Sequence, residues 1–182
     1  MAGNRGTDVT AFRGTGASEI ALRAVAARFS VGVAESLTGG ALAVALAGAP
    51  GAADWFKGAV VAYQSAVKQG VLGVKSEQVV SAQCAAEMAS GAKDVLGADL
   101  TMATTGVAGP GRLEDQAPGT VFIAAQFGDD ESVRELHLSG PPDVVVADTI
   151  TSVIELALEL VKAEFERVEA ADARGNGAHK AR

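Results

Sequence analysis

The chain has 182 residues, of which 48% are hydrophobic and only 4% aromatic, so a single domain with a core of alanine, valine and leucine is expected. Its formal net charge of −7, with no lysine- and arginine-rich face before the C-terminal tail, argues against a nucleic-acid-binding domain. One cysteine, Cys84, and two distant histidines exclude an internal disulfide and a spaced metal motif, so we expect no metal and no cofactor.

The chain carries no sequence signal for a membrane. No apolar run reaches about 18 residues, and the N-terminus lacks a charged region followed by a hydrophobic one. We therefore expect a cytoplasmic protein without a membrane partner. Residues 1–16 are glycine-rich without periodicity and predict a flexible segment, and residues 169–182 predict a disordered tail. One domain from 17 to 168 remains.

Helical and strand periodicities alternate along this domain. Ser18 with Glu19 predicts the cap of a first helix, whose apolar residues run from Ile20 through Leu22 and Val25 to Phe29. Further helices are predicted at 41–47, at 82–96 after the N-cap Ser81, and from Pro142 to about Phe165, with a possible short helix after Gln64. Short apolar runs predict strands at 30–34, 58–63, 100–105, 119–127 and 132–138, the last two as a hairpin. The order predicts an α/β protein, a three-layer α/β/α sandwich with a five-stranded, mostly parallel mixed sheet.

Polar residues and glycines are concentrated after the first predicted strand, as Glu35, Ser36, Thr38, Gly39 and Gly40. A strand that ends in a glycine-containing turn before a helix is where α/β proteins place ligands, because helix amides and small residues let a reacting group approach the backbone. We therefore predict the active site here, with Glu35, Thr38, Gly39 and Gly40 as substrate-binding residues. The same residues also fit a purely structural turn, in which Thr38 is an N-cap and the glycines ease the chain reversal.

Two other strand ends should meet this turn at the same edge of a parallel sheet. Tyr63 and Lys68 follow the second strand, and the glycine-rich segment 105–112 follows the third. A serine hydroxyl needs a base to become a nucleophile, and without a nearby histidine a partly buried lysine is the available one. Burial would bring its pKa from about 10.4 towards 7 or 8. Backbone amides after Ser36 could hold an oxyanion, and the glycine-rich segment could hold a phosphate. Taken singly, Lys68 is more often a surface lysine, Tyr63 a core tyrosine and the glycine-rich segment an ordinary turn. Their joint placement at strand ends favours the functional interpretation.

The motifs in this order resemble the CinA C-terminal domain family, which includes stand-alone nicotinamide mononucleotide amidohydrolases and the C-terminal part of competence/damage-inducible CinA proteins. The resemblance covers about residues 17–165. It rests on the segments 34–40, 54–58, 105–110 and 118–121, and on Tyr63 with Lys68. It implies a three-layer fold with a five-stranded mixed sheet, a homodimer, and hydrolysis of nicotinamide mononucleotide to nicotinate mononucleotide and ammonia without a metal.

The same resemblance implies roles for individual residues. Ser36 would be the nucleophile, Lys68 its base, and Tyr63 a hydroxyl that assists proton transfer. The substrate site would be lined by the end of the third strand and the loop that follows it, with Thr105, Gly106, Ala108, Gly109 and Arg112.

The last predicted helix departs from the family pattern. The segment 140–147 contains none of the arginines that the family carries there, and an arginine gives phosphate a bidentate contact. Arg112 is the remaining candidate for this contact. Two alternatives therefore stay open: a catalytically silent CinA-like module that binds a nucleotide or a protein, and a serine/lysine amidase with another small amide substrate. The presence of Ser36, Tyr63 and Lys68 favours an enzyme.

Overall fold

Residues 16–179 are described by the structure, a computed structural model. The predicted flexible segment lies, except for Gly16, outside the described residues. The helices are α1 (Ala17–Ala27), α2 (Ala41–Ala47), α3 (Ala52–Trp55), α4 (Ser65–Leu72), α5 (Ala82–Leu96) and α6 (Pro142–His179). The strands are β1 (Val31–Glu35), β2 (Phe56–Val61), β3 (Leu100–Gly106), β4 (Thr120–Phe127) and β5 (Asp130–His137).

The strands form one sheet in the order β2-β1-β3-β4-β5. β1 lies between β2 and β3 and is parallel to both, whereas β4 is antiparallel to β3 and to β5. Only β4 therefore runs against the other four strands, which confirms the predicted mostly parallel mixed sheet. The carboxyl ends of β1, β2 and β3 lie at one edge, where ligands bind in open α/β sheets.

Helices cover both faces of the sheet, which confirms the three-layer α/β/α class. Because side chains alternate along a strand, Val31 and Val33 face the core formed with α1, α2, α3 and α6, whereas Ala34 faces the core formed with α4 and α5. In the second core, α4 and α5 approach each other closely. A Cβ atom at Gly91 of α5 would lie 2.1 Å from the carbonyl oxygen of Leu72 at the end of α4. Glycine at this position lets α4, which carries Lys68, pack directly on α5.

The first helix differs from its prediction at its start and on its surface. Ser18 is exposed and does not cap α1. Gly16 is the N-cap, and its carbonyl oxygen accepts hydrogen bonds from the amides of Glu19 and Ile20. Glu19 instead pairs with Arg23, one turn further on. Leu22 and Val25, predicted to be part of the apolar stripe, are 67% and 57% exposed. The small residues Ala17, Ala21 and Ala24 make the packed face with Ile20.

The last helix continues beyond its predicted end near Phe165. α6 runs to His179, so the part of the chain expected to be a disordered tail from residue 169 is helical up to that residue. The segment 166–174 is composed largely of glutamate, alanine and arginine, which have high helix propensity and extend the helix past the sheet. Residues 180–182 lie outside the described range. None of the helices described between residues 16 and 179 has the length and apolarity needed to cross a membrane.

Candidate active site

Ser36 and Lys68 meet at the carboxyl end of β1. Ser36 follows the strand directly, and Lys68 lies in α4, whose start follows the end of the neighbouring strand β2. The Nζ atom of Lys68 donates a hydrogen bond of 2.9 Å to Oγ of Ser36 and a second of 3.2 Å to the carbonyl oxygen of Tyr63. The lysine is 1% exposed and the serine 7% exposed. Lys68 is therefore a buried amine that contacts a hydroxyl, and its reading as a surface lysine is wrong.

The surroundings of Lys68 favour its neutral form. Burial lowers the pKa of the Lys68 ammonium below 10.5, while Cys84 and then Glu114 act in the opposite direction. Burial also raises the pKa of the Cys84 thiol to about 11, while Lys68 acts on it in the opposite direction. Within the described residues, Lys68 forms no salt bridge that would hold it protonated. A lowered pKa makes the neutral form of this amine, which can act as a general base, more accessible than that of a surface lysine.

Tyr63 contributes its backbone to Lys68 and presents its side chain to solvent. The residue is 70% exposed, so it is not a core tyrosine. Its carbonyl oxygen orients the amine of Lys68, while the residue lines the same cleft as Ser36. The phenol is thus at the rim, where it can approach a bound ligand.

Glu35, the last residue of β1, and Gly40, in the turn after this strand, do not line the cleft. The carboxylate of Glu35 is fully buried and accepts hydrogen bonds from the amides of Gly40 (3.0 Å), Leu42 (3.1 Å) and Ala43 (2.8 Å). These are the free amides at the start of α2, which favour a negative charge. Of the backbone amides after Ser36, these three are therefore not free to stabilise an oxyanion, because the carboxylate of Glu35 accepts from them.

Thr38 and Gly39 complete this turn and likewise lie outside the cleft lining. The hydroxyl of Thr38 is 2.8 Å from that of Thr104 on β3, and the helix cap is Gly40, so Thr38 is not an N-cap. Gly39 and Gly40 have φ values of +59° and +103°, which only glycine adopts at little cost. The four residues predicted to bind substrate around Ser36 therefore make their contacts within the turn, with α2 and with β3, and not with the cleft.

The third wall of the cleft comes from the end of β3 and the loop after it. Thr105, Gly106, Ala108, Gly109 and Arg112 all line an open cleft of about 490 Å³ with Ser36, Tyr63 and Lys68, as the convergence of strand ends predicts. The hydroxyl of Thr105 is already used, since it donates a 2.5 Å hydrogen bond to the carbonyl oxygen of Val79. The guanidinium of Arg112 donates to the carbonyl oxygen of Asp115 in its own turn.

Sequence reasoning missed several residues of the cleft, among them Val79, Val80 and Glu114. Val79 and Val80, before α5, form part of its wall, and the carboxylate of Glu114 accepts hydrogen bonds from both of their amides. The two segments are more than 30 residues apart, so no local pattern links them; the acidic pair after the glycine-rich loop was the only signal. Among the described residues, no group of three or more His, Cys, Asp or Glu side chains is placed to hold a metal ion.

Comparisons with known proteins agree with this architecture. A family model described as the CinA C-terminal domain matches residues 15–162. A putative competence-damage inducible protein of Bacillus subtilis (strain 168) is 42% identical over 116 residues, which is 61% of this chain and 28% of the relative. A CinA-like protein of Frankia casuarinae is 38% identical over 137 residues, 72% of this chain and 32% of the relative. The chain thus spans about a third of the length of these relatives.

Solved structures of similar chains have the same fold. A CinA superfamily protein from Klebsiella pneumoniae superposes with a TM-score of 0.77 at 31% identity, covering 81% of this chain and 96% of the other. A CinA superfamily protein from Escherichia coli has a TM-score of 0.77 at 31% identity, with coverages of 86% and 94%.

Proposed function

The chain belongs to the CinA C-terminal domain family, and from this we propose that it is an amidohydrolase that converts nicotinamide mononucleotide to nicotinate mononucleotide and ammonia. The observation that carries the proposal is the 2.9 Å contact between Nζ of Lys68 and Oγ of Ser36 in a buried position that opens onto a cleft. A buried lysine beside a serine at a strand end is the arrangement of an activated nucleophile.

In the proposed reaction, neutral Lys68 accepts the hydroxyl proton of Ser36 as Oγ forms a bond to the carboxamide carbon. The tetrahedral intermediate expels ammonia when the C–N bond breaks, and the proton held by Lys68 passes to the leaving nitrogen. Water then attacks the acyl-enzyme, Lys68 takes a proton from it, and Ser36 leaves as the hydroxyl. Protons balance in each half of the reaction, so no metal has to be invoked.

The oxyanion needs amides other than those bound by Glu35. Among the described residues, the N–H groups of Leu37 and Thr38 have no hydrogen-bond acceptor, and Leu37 lines the cleft. The amide that follows a nucleophile is a common oxyanion donor in serine hydrolases. We assign this role to the amide of Leu37.

Tyr63 and the glycine-rich loop would handle the rest of the substrate. The exposed phenol of Tyr63 at the rim is suited to help deliver a proton to the leaving nitrogen. The backbone of Gly106, Ala108 and Gly109 lines the cleft and can contact the nucleotide. The guanidinium of Arg112 has further N–H donors besides the one that binds the carbonyl oxygen of Asp115, and these suit a phosphate.

One observation favours a second candidate, a serine/lysine amidase for a small amide without phosphate. The carboxylate of Glu114 lines the same cleft as Arg112, and Arg112 is hydrogen-bonded within its own turn. A phosphate in this cleft would therefore meet a negative charge as well as a positive one.

The test is an assay of ammonia release from nicotinamide mononucleotide, nicotinamide riboside and free nicotinamide. Release from the mononucleotide that is lost in Ser36→Ala supports the proposal. Preferred release from the riboside would favour the second candidate, and release from none of the three would contradict the proposal. The homodimer and the cytoplasmic location expected from the sequence remain predictions, and light scattering at micromolar concentration tests the former.

A further inference from the structure

Glu114 connects two neighbouring loops that both line the cleft. Its Oε1 accepts a hydrogen bond of 3.1 Å from the amide of Val79, and its Oε2 accepts one of 2.9 Å from the amide of Val80. Both carboxylate oxygens are thus bound by consecutive amides of the segment before α5. Hydrogen bonds to a charged acceptor are about twice as strong as neutral ones.

The turn that carries Glu114 is held in an unfavourable backbone conformation. Glu114 and Asp115 have φ values of +50° and +62°, and Leu113 and Gln116 pair on either side of them in an antiparallel bridge. Two consecutive non-glycine residues in the left-handed region are costly, so contacts elsewhere must hold them there. The two bonds to Val79 and Val80 are such contacts.

The segment that Glu114 binds is also hydrogen-bonded to the sheet, through Thr105 of β3. The hydroxyl of Thr105 donates to the carbonyl oxygen of Val79, so Val79 is bound through its amide by one wall residue and through its carbonyl by another. Val79 and Val80 are buried, and both line the cleft with Glu114 and Arg112. Among the described residues, Glu114 is the side chain that hydrogen-bonds the 109–116 loop to the segment before α5.

We infer that Glu114 is a positioning residue for ligand binding, which fixes the 109–116 loop, and with it Gly109 and Arg112, against the Val79–Val80 wall of the cleft. The inference rests on the proposed function for the identity of the ligand. Glu114 does not contact the reacting atoms in this account. It determines how well the loop is ordered before the ligand arrives, and binding to an ordered loop costs less than binding to a loose one.

Two variants of Glu114 separate its carboxylate from its backbone. Glu114→Gly suits the left-handed conformation and removes the carboxylate, whereas Glu114→Gln keeps the size but cannot accept at both positions. Asp115→Gly is the backbone control, since it relieves the neighbouring left-handed residue and leaves the carboxylate of Glu114 in place.

Glu87→Gln is the second control. Glu87 accepts hydrogen bonds from the amides of Lys75 (2.7 Å) and Ser76 (2.9 Å), in the same connection between α4 and α5, but it does not line the cleft. Loss of this carboxylate tests whether any loosening of the connection has the same effect as loss of Glu114.

The experiment measures KM and kcat for ammonia release from nicotinamide mononucleotide, and the dissociation constant of the mononucleotide in a Ser36→Ala background by calorimetry. Amide hydrogen exchange at Val79 and Val80 is followed in parallel, and thermal unfolding confirms that each variant is folded. We expect both Glu114 variants to raise KM and the dissociation constant about tenfold with kcat within about twofold, together with faster exchange at the two valines. Both controls should stay within about twofold in binding.

Several results would overturn the inference. These are unchanged binding in both Glu114 variants, a fall in kcat without a change in KM, an equal loss of binding in either control, and no binding of the mononucleotide to the unmodified protein. Binding without ammonia release would refute the proposed function instead, and the dissociation constants would still decide the role of Glu114.

Discussion

The Nζ atom of Lys68 lies 2.9 Å from Oγ of Ser36, although the two residues are 32 positions apart in the chain. Two structural features bring them together: the parallel pairing of β1 with β2, and the close packing of α4 on α5 at Gly91. Burial of Lys68 lowers its pKa, with Cys84 and Glu114 opposing this shift. The packing of the second core therefore sets both the position and the basicity of the proposed base.

The first prediction is that Lys68→Arg abolishes the proposed activity almost as completely as Lys68→Ala. Arginine keeps the positive charge but cannot lose its proton in this range, so it cannot act as a base. We expect kcat/KM for ammonia release to fall about 10²–10⁴-fold in both variants, the usual contribution of general acid–base catalysis. In the unmodified protein, kcat/KM should rise with pH through the lowered pKa of Lys68. Near-normal turnover in Lys68→Arg would show that the lysine has an electrostatic or binding role and does not remove the proton of Ser36.

How far this site follows from the sequence can be seen residue by residue. The convergence of three strand ends follows from apolar runs and their order, and it brings together Ser36, Tyr63, Lys68 and the 105–112 segment as predicted. α5 was also predictable, because Ser81 accepts the 3.1 Å hydrogen bond from the amide of Cys84 that its position before an apolar stripe indicates. These features depend on local periodicity.

The features that the sequence did not reveal depend on contacts between distant segments or on the orientation of a side chain. Whether the carboxylate of Glu35 faces the cleft or the start of α2 depends on the left-handed turn at Gly39 and Gly40, which no periodicity specifies. The link from Glu114 to Val79 joins residues 35 positions apart. A pattern of residue types predicts which segments meet, but not which polar atoms pair once they have met.

The second prediction is that Lys68→Met raises stability while it removes activity. The folded protein lowers the pKa of Lys68, so the unfolded chain binds more protons between that pKa and 10.5, and the stability of the unmodified protein rises with pH across this window. At neutral pH the unmodified protein must bury an amine that is charged in water, and the variant avoids this cost. We therefore expect the free energy of unfolding to rise by about 1 kcal/mol in Lys68→Met. Chemical denaturation should show this gain shrinking as pH approaches 10.5. A gain that is independent of pH would contradict the assignment to Lys68 titration.

The third prediction concerns the turn that holds Ser36. The carboxylate of Glu35 accepts three hydrogen bonds, from the amides of Gly40, Leu42 and Ala43. Glu35→Gln replaces one accepting oxygen by an amide nitrogen, which cannot accept. We expect a loss of about 1–3 kcal/mol in the free energy of unfolding, measured by denaturant titration, because a buried donor is left without an acceptor. The exposed Glu155→Gln on α6 is the matched control and should change stability by less than about 0.5 kcal/mol. Equal stabilities for the two variants would refute the capping role of Glu35.

The fourth prediction is that Arg112→Ala weakens binding of the mononucleotide more than binding of the riboside. If the guanidinium contacts the phosphate, KM for nicotinamide mononucleotide should rise about tenfold with a smaller change in kcat, and this rise should diminish at high salt because the residue is exposed. The riboside lacks the phosphate and should be affected by less than about twofold. Equal effects on both substrates, or none, would show that Arg112 does not bind the phosphate.

The last prediction separates Ser36 from the other serine in the same cleft. Ser65 also lines the cleft, at the start of α4, but it is exposed, and the hydrogen bonds that Lys68 makes within the described residues go to Ser36 and Tyr63. Because only a hydroxyl that gives its proton to the amine becomes a nucleophile, rapid quenching followed by mass spectrometry should detect an acyl group on the peptide that contains Ser36. Ser36→Ala should lose this adduct and steady ammonia release, whereas Ser65→Ala should keep both within about twofold. Ammonia release that persists in Ser36→Ala would mean that water, and not this serine, attacks the amide.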